Sequence, residues 1–362
     1  MPDQPPGSTP ADLTLADLGE WNLIERLGRF APPDQFLDDA ALITTAPGNG
    51  NPDLVVNTDV LVETVHFSDR TTAPQDVGWR AAMANLSDLA AMGCTSVLGL
   101  TVGLVAPATT PWRWVEGVYE GLQEALEARG GLLLGGDCSS GRQRMLAITA
   151  LGQLPPRGGG AILRSVGRPG DLLLASGAHG LSRLGLALLL DEPVPGLNRL
   201  NPDQRQALSR RAIKAHRRPQ GRFDVVEELS RCQPPGTAWR VGGTDSSDGL
   251  LAAVTAIARA SGCQAMLQRH QLPLEPTMEL LEPAVAWCLS GGEDFELVLA
   301  LEPSWARALQ ARVTGSRLIG TLTPARSAET PVIWAEDGTV IATDGNQGYT
   351  HFQNAPTAAD AT

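Results

Sequence analysis

Residues 53–67, DLVVNTDVLVETVHF, carry an apolar run into a polar triplet and place an acid, a hydroxyl and a histidine on one short extended segment. Read as a strand, DLVVNTDV buries Val55 and Val56 and turns polar at Asn57, Thr58 and Asp59. That sets the triplet at or near the strand's end, where open sites form. Two readings fit the segment taken alone: a capped turn in which Asp59 bonds its own backbone, or one wall of a site.

The rest of the chain limits the choice. At 362 residues and 43% hydrophobic, with no apolar run approaching the roughly 18 residues of a membrane span, a globular protein is expected. Two domains are expected, because single cores stop growing at roughly 250–300 residues. A net charge of −12 argues against a nucleic-acid surface and suits a protein that holds cations. Lys214, in RAIKAHRR, is the only lysine. A Walker A loop, a protein-kinase strand lysine and a Schiff-base enzyme each need a lysine in a defined setting, so phosphate chemistry here must use metals, arginines or backbone amides. Cys94, Cys138, Cys232, Cys263 and Cys288 form no CxxC pair, and MPDQPPGSTP has no apolar signal segment. The expectation is a cytoplasmic protein without structural zinc or disulfides, whose abundant aspartates favour hard cations such as Mg²⁺.

Taken in order, residues 1–13 read as a loose proline-rich tail. TLADLGEWNLIERLGRF (14–30) follows as an amphipathic helix capped by Thr14, with Leu18, Trp21, Leu23, Ile24 and Leu27 near the helical period. QFLDDAALI (35–43) sets Asp38 and Asp39 between apolar residues, on a short strand or an exposed turn. PQDVGWRAAMANLSDLAAMG (74–93) is a helix opened by Pro74 and closed by Gly93, in which Asn85 and Asp88 share a face. TSVLGLTVGLV (95–105) is rich in β-formers and precedes a helix over 111–129. In LLLGGDCSSG (132–141) an apolar strand breaks into Gly-Gly-Asp, which is either an ordinary turn or a place where backbone amides approach a phosphate while Asp137 meets a metal. MLAITALGQL (145–154) completes an α+β first half.

At PPRGGGAILRSVGRPGD (155–171) the composition shifts, marking a connection that is either a plain linker or one whose Arg164 leans back onto phosphates. The division expected is a domain over 14–155 and a second over 156–362. The second half alternates strands (DLLLAS, QAMLQ, FELVLAL, RLIGTL, PVIWA) with helices (181–190, 202–216, 249–261), and residues 191–236 read as a surface excursion with one or two helices. GGTDSSDGLLAAVTAIA (242–258) delivers Asp245, Ser246, Ser247 and Asp248 into an apolar helix, so that a Ser or Asp caps its N-terminus. CLSGGEDFELVLAL (288–301) puts Glu293 and Asp294 just before a strand. Asp38, Asp39, Asp59, Asp88, Asp137, Asp245 and Asp248, if they converge, need several divalent ions to offset their repulsion. Such ions hold the oxygens of a nucleotide triphosphate.

The ordered series LDDAA (37–41), NTDVLVETVHF (57–67), MANLSDLAAMG (83–93), GGD (135–137), ILRSVGRPGD (162–171), DSSDGL (245–250) and SGGEDFEL (290–297) closely resembles the thiamine-monophosphate kinases. Their superfamily also contains aminoimidazole ribonucleotide synthetase, HypE and selenophosphate synthetase. The resemblance implies an α/β (α+β) protein with a two-domain aminoimidazole ribonucleotide synthetase-like (PurM-like) fold, a mixed-strand N-terminal and an α/β C-terminal domain. It implies an ATP site between the domains and a homodimer whose first-domain strands join. The activity implied is direct in-line transfer of a phosphoryl group from ATP to thiamine monophosphate, with several Mg²⁺ ions and without a general base.

Position by position, the resemblance implies metal binding by Asp39, Thr58, Asp59, Asp88, Asp137, Asp245 and Asp248. It implies ATP contacts at Gly136, Asp137, Arg164 and Ser247, and acceptor contacts at His66, Glu293 and Tyr349. Leu37 stands where the family usually has glycine, Asn57 where it has a serine that supplies a metal contact, and CSSG (138–141) where TTRG is common. Among relatives, selenophosphate synthetases carry a reactive Cys or selenocysteine in an N-terminal glycine-rich segment, whereas the first cysteine here is Cys94. HypE ends in a cysteine, whereas this sequence ends in Asp360, Ala361 and Thr362. Aminoimidazole ribonucleotide synthetase fits the fold, but TDVLVETVHF and SGGEDFEL fit the kinase better. A metal-loaded binding protein and a metal-dependent phosphatase are the alternatives from other classes, and ADP formation that requires thiamine monophosphate separates all three.

Overall fold

The computed structural model describes residues 13–44, 52–156, 158–325 and 331–341. Residues 1–12 of the tail expected over 1–13, and Tyr349, lie outside them.

Alternating apolar residues build the first sheet. Its strands are β1 (Ala41–Ile43), β2 (Leu54–Val62), β3 (Ser96–Ala106), β4 (Leu132–Ser140) and β5 (Met145–Gln153), in the order β1-β2-β5-β3-β4. All neighbours are antiparallel except β3 and β4. On β5, Leu146, Ile148 and Ala150 are buried; their face of the sheet carries the helices α2 (Pro74–Ala91) and α3 (Trp112–Glu127), because strand residues two apart share a face. The second sheet holds β6 (Leu172–Ala175), β7 (Gly242–Asp245), β8 (Cys263–Leu267), β9 (Leu297–Leu301), β10 (Arg317–Pro324) and β11 (Val332–Trp334), ordered β11-β8-β10-β6-β9-β7. Only β11 and β8 are parallel among its pairs. Both sheets are mixed, as the expected fold class requires.

Helices α4 (Leu181–Leu189), α5 (Pro202–Arg217), α6 (Phe223–Arg231), α7 (Leu250–Ala260), α8 (Ala284–Ser290) and α9 (Pro303–Gln310) belong with the second sheet. One apolar core crosses between the sheets: Met83, Leu86 and Ala90 of α2 cluster with Phe223, Val226, Leu297, Leu299 and Trp305. Helix α2 is therefore held on both sides, and polar residues on it are positioned by two bodies of packing.

Several expectations change. The triplet Asn57-Thr58-Asp59 lies in the middle of β2, not at its end. Strand β1 pairs only with Leu54–Val56, while β5 pairs with β2 along its whole length. The site opens where β2 outlasts its short neighbour. Nor does LLLGGD break into a turn: β4 runs through both glycines to Ser140. A Cβ on Gly136 would come 2.0 Å from the Val102 carbonyl oxygen, so glycine is what lets β4 stay paired with β3 there. Helix α7 is capped by Gly249, at φ 104°, rather than by a Ser or Asp side chain. The segment 191–236 does hold two α-helices, α5 and α6, but α6 buries Phe223, Val225, Val226 and Leu229 and is core rather than a surface excursion.

The N-terminal helix α1 (Leu15–Leu27) forms with Thr14 and Asp17 in a reciprocal capping box. It buries none of its residues: Gly19, at φ 67° and ψ 170°, interrupts it, and beyond that break Trp21, Ile24 and Leu27 share a helical face yet stay exposed.

Helices α2 and α3 cross at glycines. A Cβ on Gly121 would meet the Gln75 carbonyl oxygen at 1.9 Å, and one on Gly78 the Val118 carbonyl oxygen at 1.9 Å. Backbone cannot give way as a flexible side chain can, so Gly121→Val forces the helices apart. The expected cost is about 3 kcal/mol, read as a lower denaturation midpoint with the slope unchanged; an unaltered midpoint would contradict this packing.

Candidate active site

The chain that enters β1 passes the open edge of β2. Asp38 and Asp39 precede Ala41, which pairs with Val56, and so lie alongside the polar triplet. From α2, Asn85 accepts a hydrogen bond at Oδ1 from the Asp59 amide (3.2 Å) and anchors itself through Nδ2 to the Ala81 carbonyl (2.9 Å). One helical turn on, Asp88 Oδ2 accepts from Asn57 Nδ2 at 2.6 Å. Asp245 arrives from the second sheet at the end of β7, where Ser87 Oγ donates to it at 2.5 Å. Ligand atoms of Asp39, Asp88 and Asp245 lie within 4.8 Å of one another.

Burial, more than the neighbouring charges, raises Asp88, Asp245 and Asp59. Asp88 is pushed well above the usual carboxylate range by desolvation, then by Asp59, Asp245 and Asp39, with the Asn57 bond opposing. Asp245 is pushed up to about 7 by desolvation and Asp39, against its bond from Ser87 and the charge of Arg164. Desolvation and Asp39 also raise Asp59. The compensating cation is Arg164: its guanidinium pairs with Asp39 and bonds Thr244 Oγ1, its backbone amide donates to Asp38 Oδ1 at 2.7 Å, and Thr244 Oγ1 donates to Asp39 at 2.7 Å. The linker reading of this segment gives way to an arginine turned into the acids.

The raised pKa of Asp245 makes stability depend on pH in a definite sense. A folded pKa above the unfolded value of about 3.9 means that the folded state binds more protons, so the contribution is full below pH of about 4 and lost as pH rises through about 7. Without metal, Asp245→Asn should therefore melt above the wild type near pH 8, by the equivalent of about 1–4 kcal/mol, with the gap closing toward about pH 4. Thermal melts in chelator check this, and a variant less stable than the wild type near pH 8 would contradict it.

An all-oxygen carboxylate donor set fits a hard divalent cation such as Mg²⁺ and suits Zn²⁺ or copper poorly. Burial of three carboxylates around one point is otherwise costly.

The remaining expected residues are distributed around this centre. Thr58 points to the opposite face of the sheet, its Oγ1 2.9 Å from Thr149 Oγ1. Gly136 and Asp137 lie on the exposed edge strand β4, with β5 and β3 between them and β2. Ser247 and Asp248 form the exposed turn that follows Asp245, and the Ser247 carbonyl accepts from the Glu293 amide at 2.6 Å. His66 and Glu293 meet at a second cluster, where Arg80 Nη2 donates both to the His66 carbonyl, at 3.2 Å, and to Glu293 Oε1. His66 Nδ1 accepts from the Val62 amide at 3.0 Å.

Arg80, Ser87 and Thr244 did not emerge from sequence reasoning. Ser87 and Thr244 each precede an expected ligand, and Arg80 is the only charged residue between Asp76 and Asp88 in an otherwise small and apolar helix. That isolation was the available signal.

Comparison with known proteins decides the family. Residues 37–154 match the family model described as AIR synthase related protein, N-terminal domain. The thiamine-monophosphate kinase of Prochlorococcus marinus is 44% identical over 327 residues, 90% of this chain and 94% of that protein. The chain belongs to the thiamine-monophosphate kinase family. The Synechococcus elongatus member is 45% identical over 311 residues, covering 84% of this chain and 90% of its own. Among solved structures, AaThiL complexed with AMPPCP and TMP superposes with a TM-score of 0.76 at 27% identity, over 94% of this chain and 99% of that one. Hydrogenase maturation protein HypE shares the fold alone, with a TM-score of 0.61 at 18% identity over 89% of this chain and 97% of its own. Membership in the kinase family places the acid cluster among proteins named for phosphoryl transfer, ahead of the HypE, binding-protein and phosphatase alternatives.

Proposed function

We propose that the chain catalyses transfer of the γ-phosphoryl group of ATP to thiamine monophosphate, giving thiamine diphosphate and ADP, with Mg²⁺ held by Asp39, Asp88 and Asp245 and by Asp59 beside them. The observation that carries this reading is the convergence of acids from both halves of a kinase-family chain on one point. When bound, the ions neutralise charge on the phosphates and on the group in transit. The chain's own contribution is placement. Arg164 neutralises Asp39 and is positioned to exchange that partner for a nucleotide phosphate. Ser247 and Asp248, exposed beyond β7, face the nucleotide side. His66 and Glu293 hold the acceptor, with Tyr349 assigned there from family resemblance alone. No general base is needed, because the acceptor phosphate is already largely ionised near neutral pH.

The same reading divides the chain at 155/156 and joins two copies through β4. Leu132, Leu133 and Leu134 on that edge strand are 65%, 49% and 49% exposed, which is an unpaired apolar edge of the kind a second strand covers. Thr58, Gly136 and Asp137 are assigned to metal and nucleotide by resemblance.

Acceptor-dependent ADP release tests the function: ATP and Mg²⁺ alone should give no more than slow hydrolysis. His66→Ala should raise the Michaelis constant for thiamine monophosphate about tenfold and that for ATP less than about twofold. Equal effects on both would contradict the placement of His66.

A further inference from the structure

Arg80 reaches from α2 toward the second half of the chain, and its side chain is 4% exposed. Its Nη1 donates to the His216 carbonyl at 2.6 Å and lies 3.2 Å from each nitrogen of the His216 ring. Its Nη2 takes the His66 carbonyl and the Glu293 carboxylate together. Nε is buried without a hydrogen-bond partner among the described residues. A buried guanidinium with one N–H unsatisfied stabilises a fold poorly, and an apolar residue of similar size does as well or better. Packing alone therefore does not account for it.

What Arg80 touches does. Glu293 is 35% exposed at its side chain and is held at φ 56°, a left-handed conformation that a residue with a Cβ keeps only where its surroundings enforce it. Its amide is tied to the Ser247 carbonyl at 2.6 Å and one carboxylate oxygen to Arg80. The other oxygen stands 3.5 Å from His216 Nδ1, which also lies 3.1 Å from Ser182 Oγ. Burial and then Arg80 push His216 down to about 4, so the ring is neutral near pH 7 and Arg80 is the ion pair's cation.

We propose that Arg80 is a positioning residue for the acceptor substrate, fixing the Glu293 carboxylate against the His66 backbone so that a cationic heteroaromatic phosphate ester meets both in a preset geometry. The nucleotide side is organised by Arg164 and by the Ser247 turn, which Arg80 reaches only indirectly, through the Glu293 amide. This rests on the kinase reading, which supplies the acceptor.

The test is a double-mutant cycle. Arg80→Met should raise the Michaelis constant for thiamine monophosphate at least about tenfold and that for ATP by less than about twofold. Arg80→Lys keeps the charge without the two-pronged reach and should fall between; if the Met variant does not fold, Lys carries the comparison. In a Glu293→Gln background, Arg80→Met should add less than about twofold, because the partner it orients is already altered. Equal rises for both substrates, or effects that multiply across the cycle, would overturn the proposal. Calorimetry with thiamine monophosphate gives the same comparison without turnover: a wild type that binds the acceptor yet forms no ADP would remove the kinase reading and leave the Arg80 assignment to be judged by affinity. A wild type that does not bind it overturns both.

Discussion

Asp88→Asn is expected to lower turnover by about three orders of magnitude while the protein stays folded. Asp88 sits with Asp39 and Asp245, part-buried, and its pKa is raised by burial and then by three neighbouring acids. The amide keeps the volume, and its oxygen can still accept from Asn57. What it loses is charge at the point where ions from the nucleotide complex must be held. The same loss removes desolvation cost from the metal-free state, so the variant should melt at or above the wild type in chelator. Reduced turnover with an undiminished melting temperature identifies a ligand rather than a strut. Wild-type turnover would return α2 to a purely structural role.

The second large effect concerns nucleotide binding. In 10 mM-scale chelator, ATP affinity should fall at least about a hundredfold relative to Mg²⁺ buffer. ATP would otherwise bring its triphosphate charge against Asp39, Asp59, Asp88 and Asp245 in a partly desolvated site. Arg164, the one arginine at that point among the described residues, is already paired with Asp39, and the chain's only lysine, Lys214, lies on α5. Among the described residues nothing else in the cluster supplies positive charge. Isothermal calorimetry with and without chelator reads the difference, and tight metal-free binding would contradict the ion-bridged site.

Much of this was legible before any coordinates. Proline starts, glycine ends and helix-forming stretches located α2, α3, α4, α5 and α7, and five strands of the second sheet stood out as apolar runs. Local signals failed where neighbours decide. Whether Asn57–Asp59 ends a strand depends on how far β1 and β5 extend beside it, and nothing within NTDV records that. Gly135 and Gly136 look like a turn, yet at Gly136 the close approach of the Val102 carbonyl makes glycine the condition for continuing the strand. Strand β7 is only GGTD, with no β-branched run to announce it. At the site, the acids were visible because burying charge is unusual, and their meeting at one point was a hypothesis that family resemblance made specific. Arg80 and Ser87 were not visible, because their significance lies in partners from distant parts of the chain: Glu293 and Asp245.

The account stands or falls on where the phosphoryl group goes. With γ-³²P-labelled ATP, Mg²⁺ and thiamine monophosphate, the label should appear in thiamine diphosphate in step with ADP, and ADP should form no faster than by slow hydrolysis when the acceptor is withheld. Label released as inorganic phosphate at the same rate with and without thiamine monophosphate would contradict it.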